Sequence, residues 1–184
     1  MIIFLNGPPG SGKDTIANIV DKNVLSTKDI KLSKPLKDCF REMFQLPARQ
    51  AKEWLNDRKE EDFAAGVTPR QFQIKLSEEF MKPLFGNDIF GQIGIRTITN
   101  TMARHFTISD AGFIDEVEEI VKYFGKDQVK AIKISRPGHD YENDSRGYID
   151  FDSVGIDWKS LDNVHDMELL NAQVERILRE WELV

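Results

Sequence analysis

Gly7-Pro8-Pro9-Gly10-Ser11-Gly12-Lys13-Asp14-Thr15 follows an apolar run, Ile2-Ile3-Phe4-Leu5, and opens a helical pattern, Thr15-Ile16-Ala17-Asn18-Ile19-Val20. Strand, glycine-rich turn, lysine and helix, in that order, make a cradle for nucleotide phosphates. Glycines let the backbone curl so that successive N–H groups point at phosphate oxygens. The helix adds the positive end of its dipole, and the lysine adds a mobile cation for β- and γ-phosphates. The spacing Gly-x4-Gly-Lys alone would arise by chance in roughly one chain in twenty of this length. The strand before it and the helix after it make the reading specific, against a merely structural glycine turn. Contacts to ATP are expected from Gly10, Ser11, Gly12, Lys13, Asp14 and Thr15, with Lys13 stabilising charge in the transfer step.

One position departs from the common pattern. After the lysine, Ser or Thr usually offers a hydroxyl to Mg²⁺; here Asp14 comes first and Thr15 follows. A carboxylate beside phosphates is unfavourable unless it holds a cation. Asp14 is therefore read as an anchor for Mg²⁺ through bound water, or as a group that orients an incoming phosphate. The alternative is a solvated first-turn acid that complements the helix end.

The chain has 184 residues, 40% hydrophobic and 30% charged, which suits one domain with a real core. No apolar stretch approaches the ~20 residues needed to span a bilayer, and no basic leader is visible. The single cysteine, Cys39, rules out an internal disulfide, lies on an apolar helical stripe and suits a reducing cytoplasm. A net charge of −6 argues against stable nucleic-acid binding. Small phosphorylated ligands remain compatible, because a local basic pocket can exist on an acidic protein.

Strands are expected at Ile30-Lys31-Leu32-Ser33, His105 to Asp110, Val129 to Ile134 and, weakly, Asn163-Val164-His165. Helical patterns run through about 35–44, 48–61, 87–102, 113–124 and 168–182. Thr68-Pro69 reads as a cap and first-turn proline, starting a helix whose inward face is Phe72, Leu76 and Phe80. Alternating strands and helices predict an α/β fold of three layers, a parallel sheet flanked by helices. A helical substrate-binding insert is expected at about 48–102 and a short lid loop at about 136–147. Ligands in such sheets bind at the C-terminal strand ends, where Gly7, Ser33, Asp110 and Arg136 fall.

Asp110 is placed like an acid that holds magnesium-bound water, or else caps the next helix. Glu116 reads as structural and solvent-facing. Arg136 and Arg146 flank the polar loop, as arginines that neutralise a transferring phosphate would. Lys34, Lys37 and Arg70 are candidate cations for the acceptor, since a base in a first helical turn opposes the dipole unless an anion joins it. His105, His139 and His165 lack the spacing of a zinc site. Trp54, Phe63, Phe72 and Phe90 read as core residues, one of which could stack on a base.

The set Gly10-Ser11-Gly12-Lys13-Asp14-Thr15, Lys34-Pro35-Leu36-Lys37, Thr68-Pro69-Arg70, Leu84-Phe85-Gly86-Asn87-Asp88 and Ile108-Ser109-Asp110 with Phe113-x-x-Glu116 resembles the phage-type deoxynucleoside monophosphate kinases. These segments stand in family order over about residues 1–150. The resemblance implies transfer of the γ-phosphate of ATP to a deoxynucleoside monophosphate with Mg²⁺, in an adenylate-kinase-like P-loop fold, in a host cytoplasm. Two departures bear on substrate choice. The family usually has Asp-Val-Arg-Phe where this chain has Asp110-Ala111-Gly112-Phe113, and a tryptophan is usual near Ile89-Phe90-Gly91-Gln92. A kinase for another phosphorylated metabolite, and a nucleotide-binding switch or ATPase, are the competing readings. Base preference and oligomeric state, a homodimer included, stay open.

Overall fold

The computed structural model describes every residue except Asn143, Ser145 and His165. In chain order the elements begin β1 (Ile2–Asn6), α1 (Lys13–Asn23), β2 (Thr27–Ile30), α2 (Lys34–Met43), α3 (Ala48–Lys52), α4 (Pro69–Lys75), α5 (Lys82–Phe85) and α6 (Ile89–Thr99). They continue β3 (His105–Ile108), α7 (Ile114–Phe124), β4 (Val129–Ser135), α8 (Phe151–Val154), β5 (Asp157–Asp162) and α9 (Met167–Glu180).

The strands form one five-stranded sheet in the order β2-β3-β1-β4-β5. Every pairing is parallel; Phe4 stands opposite Ile108 on one side and Ala131 on the other. A central parallel strand is covered on both faces, so it reads as a continuous apolar run rather than an alternation. Strand β1 obeys this, with all its residues buried. On one face Ile3, Leu5, Ile132 and Ile134 join Ile16 and Val20 of α1 and Leu170, Val174, Ile177 and Leu178 of α9 in one core cluster. Helix α9 starts cleanly because Asp166 accepts from the amides of Glu168 and Leu169, at 2.9 and 3.0 Å.

The chain divides into two compact units, one of residues 1–32 and 90–184, the other Ser33–Ile89. The first carries the sheet. The second is helical and overlaps the insert expected at about 48–102. Its core joins Phe40, Ala51 and Leu55 with the partly buried Leu46, Trp54, Phe63 and Phe72. The rings meet edge to face, Phe40 lying 4.8 Å from Phe63 and 5.2 Å from Phe72. Helix α4 opens on the expected cap: Thr68 Oγ1 accepts from Gln71 N, and Gln71 Oε1 accepts from Thr68 N. Phe80, expected inward, is instead exposed. A wider π turn over Leu76–Met81 breaks the angular spacing that would put residues 72, 76 and 80 on one stripe.

Two strands differ from the sequence reading. The second lies at Thr27–Ile30, not at 30–33, and the fifth at Asp157–Asp162, not near 163. The His165 part of that expected strand lies outside the described residues. Both are edge strands and largely polar, with Ile30 and Leu161 their fully buried side chains. Such a strand carries little apolar signal. Among the described residues, no helix is long and apolar enough to cross a membrane.

Leu178 is fully buried between α9 and the sheet. Leu178→Ala should lower the unfolding free energy by about 2–5 kcal/mol, read from a denaturant titration. A loss below about 1 kcal/mol would mean that α9 is not part of the core.

Candidate phosphate-binding site

Strand β1 ends in the loop and α1 begins at Lys13, so the strand–loop–helix order of a phosphate loop is built as read. Gly10 and Gly12 have φ of +78° and +99°, a left-handed backbone that favours glycine. A Cβ on either would also lie 2.5 Å from a neighbour, the His139 ring at Gly10 and Asn163 Nδ2 at Gly12.

Five successive carbonyls of the loop accept hydrogen bonds from side chains. Lys13 Nζ donates to Gly7 O at 2.6 Å and to Pro8 O at 2.8 Å. His139 Nδ1 lies 2.9 Å from Pro9 O, which can only accept, so the ring proton sits on Nδ1. Arg136 Nη1 donates to Gly10 O at 2.7 Å, and Asn163 Nδ2 to Ser11 O at 2.9 Å. Held carbonyls fix the curl of the backbone, and a fixed curl is what a phosphate cradle needs. The buried Ser11 hydroxyl has no hydrogen-bond partner among the described residues and lies on the Gly7 side of the loop.

Burial pushes the Lys13 ammonium down to about 8, helped by the charges of Arg146 and Lys31 and opposed by Asp14 and Asp144. A cation so placed gains from any anion that arrives. Lys13 thus feels both Lys31 and Arg146 around the loop.

The described residues of the expected lid are tied down. Arg146 donates to Asp144 through Nε at 2.8 Å and Nη2 at 2.7 Å, and both side chains are largely buried. Asn6 Nδ2, at the end of β1, donates to Tyr141 Oη and to Gly147 O, both at 3.2 Å. Burial pushes the Tyr141 phenol up to about 12. Asn143 and Ser145, within the expected lid, lie outside the described residues. The stem of Arg146 crosses Gly112, and a Cβ there would run into its Cγ and Cδ. The space a side chain at 112 would take is thus filled by an arginine from elsewhere in the chain.

Asp110 Oδ1 accepts from Leu32 N at 2.8 Å, joining the end of β3 to the segment after β2. It does not cap α7. That first turn is held by Glu116, which accepts from Gly112 N at 3.1 Å and Phe113 N at 3.3 Å. Glu116 is 5% exposed rather than solvent-facing, because its carboxylate is turned back onto those amides.

Lys31 is the residue that sequence reading missed. Its Nζ donates to Asp14 and to Ser109 Oγ and lies 3.2 Å from Asp29 Oδ2. Burial works against its charge, but the Asp14 hydrogen bond and the charges of Asp29, Asp14 and Asp110 outweigh it and hold its pKa above the usual lysine value. Asp29 accepts from Thr107 Oγ1 and Ser109 Oγ, each at 3.0 Å, and burial raises its pKa. Placing β2 too late put Lys31 inside a strand, whereas it stands just past the strand's end.

Lys13, Asp14, Thr15, Asp110, Arg136 and Arg146 belong to the first unit; Lys34, Lys37 and Arg70 belong to the second. There Lys34 pairs with Asp38, and Arg70 Nε lies 3.5 Å from Glu60 Oε1. Among the described residues no cluster of three His, Cys, Asp or Glu could hold a metal alone. Mg²⁺ fits nonetheless, since it is usually held by one or two carboxylates plus substrate phosphates. Asp14 beside the loop, 80% exposed, supplies oxygens of that kind.

No protein-family model matches the chain, and no curated protein does. Among solved structures it is similar to TT1252 from Thermus thermophilus, 15% identical over 98% of this chain and 97% of that one, with a TM-score of 0.49. It is also similar to a sugar kinase from Janibacter sp. HTCC2649, 16% identical over 100% and 95%, TM-score 0.42. A dephospho-CoA kinase from Campylobacter jejuni gives 14% over 98% and 96%, TM-score 0.46.

Two outcomes check this geometry. Bound phosphate favours charged Lys13, so affinity for a nucleoside triphosphate should be full below about pH 8 and fall as pH rises through that value. Titration calorimetry from neutral pH to about pH 9.5 reads the fall, which Lys13→Met should abolish. Ser11→Ala should leave both melting temperature and triphosphate affinity unchanged or slightly improved, because it removes an unpaired buried hydroxyl. A clear loss of affinity would make that hydroxyl a ligand.

Proposed function

We propose that this protein is an ATP-dependent phosphotransferase acting on a small phosphorylated metabolite, and that the metabolite is a deoxynucleoside 5′-monophosphate. The observation that carries the first part is the loop itself: five braced carbonyls, two left-handed glycines and a half-buried lysine at the start of a helix, its ammonium pushed down to about 8 by burial. A structural glycine turn needs no lysine held in that state.

Phosphoryl transfer asks the protein mainly for positioning and for charge to meet the transition state. The loop amides and the N-terminal end of α1 hold the ATP phosphates. Lys13, with two of its three N–H donors on Gly7 O and Pro8 O, turns the third toward phosphate oxygens and keeps the loop braced. Arg136 braces the loop from Gly10 O and presents cationic charge beside it. Arg146, oriented by Asp144, adds the second guanidinium. Asp14 and Asp110 would hold Mg²⁺ through water, and the ion would supply charge neutralisation on the phosphates. The nucleotide acceptor is supported by the ordered resemblance, with Lys34, Lys37 and Arg70 as cations for its phosphate.

A coupled assay of ADP formation from ATP, run over the common NMPs and dNMPs and a panel of phosphorylated metabolites, tests both parts. A dNMP should raise the rate well above the acceptor-free background, and Lys13→Ala should lower kcat by about 10²-fold or more with the fold retained. Turnover only with another phosphorylated metabolite would remove the nucleotide acceptor and keep the transferase. No acceptor-dependent turnover at all would remove both.

A further inference from the structure

An acid directly after the phosphate-loop lysine poses an electrostatic problem. Asp14 stands in the first turn of α1, beside a site that must take a highly anionic ligand. Its negative charge complements the helix end but opposes the phosphates. The answer lies on another element, just past the end of β2. Lys31 pairs with Asp14, and its remaining contacts are Ser109 Oγ and Asp29 Oδ2, the latter at 3.2 Å. An ammonium has three N–H donors, and here three acceptors meet it. Ser109, 2% exposed, donates in turn to Asp29 at 3.0 Å, and Thr107, fully buried, donates to the same carboxylate. Lys31 is therefore fixed from below by buried groups, while the Asp14 side chain above it is 80% exposed. With its donors engaged it is placed as a resident counter-ion rather than as a ligand reaching for substrate.

We propose that Lys31 is a positioning residue for the nucleotide site: it neutralises and orients Asp14, so that the loop accepts a triphosphate despite the acid, and Mg²⁺ takes over as the partner of that carboxylate. This rests on the phosphotransferase reading and assigns a role to a side chain whose donors meet acceptors of the protein itself. Lys31 and Asp14 then act as a unit, and their substitutions cannot be additive.

The test is calorimetric binding of ATP to the full chain in EDTA, with a thermal melt of each variant. Lys31→Met takes the Lys31 charge away from Asp14 and should weaken Mg²⁺-free binding on the order of tenfold. Asp14→Asn removes the repulsion and should tighten it several-fold. The double variant should return to within about twofold of the native chain. Added Mg²⁺ should tighten ATP binding to the native chain more than to Asp14→Asn. If Lys31→Met and the double variant lose affinity equally, Lys31 serves Asp29 and the proposal is overturned. Should Lys31→Met not fold, Asp14→Asn decides alone: unchanged or weaker Mg²⁺-free binding overturns the proposal. Failure of the native chain to bind ATP in either condition would remove the phosphotransferase reading itself, a result distinct from all of these.

Discussion

A loop that turns its amides toward a phosphate must hold its carbonyls elsewhere, and most of this protein's first unit follows from that requirement. Two carbonyls are held by Lys13 from the helix the loop starts. The next three are held by His139, Arg136 and Asn163, which come from the segments after β4 and β5. The loop's shape is thus set by residues far along the chain, and the parallel sheet order brings them there. Backbone groups deprived of water cost free energy unless paired, so this bracing stabilises the fold as well as shaping the site.

The same economy governs the charges. The charges of Lys31 and Arg146 disfavour a charged Lys13, and a carboxylate moderates each neighbourhood: Asp14 near Lys13, Asp14 and Asp29 around Lys31, Asp144 on Arg146. Without those acids the empty site would carry concentrated positive charge in a partly buried place. With them it is tolerable empty and still attractive to an anion of higher charge.

What was legible in the sequence was what burial writes plainly. The apolar run of β1, the glycine spacing, the cap and first-turn proline at Thr68-Pro69, and the amphipathic α7 and α9 each leave a periodic or local chemical mark. The edge strands β2 and β5 do not, because their exposed faces dilute the apolar pattern. Misplacing β2 concealed Lys31, and misplacing β5 concealed that Asn163 follows it as a carbonyl donor to the loop. His139 read as a solitary histidine because its partner is a backbone carbonyl, which no side-chain spacing can signal. Glu116 read as solvated because helix periodicity says nothing of a carboxylate turned back on its own first turn.

Gly112 and Arg146 limit what each other's position can hold. The absence of a side chain at one position is what makes room for the other. A side chain at 112 would have to displace the stem of Arg146, and with it the guanidinium that Asp144 orients. The two positions are coupled, so a substitution at either changes what the other tolerates. Bulk can return at 112 only together with a shorter residue at 146.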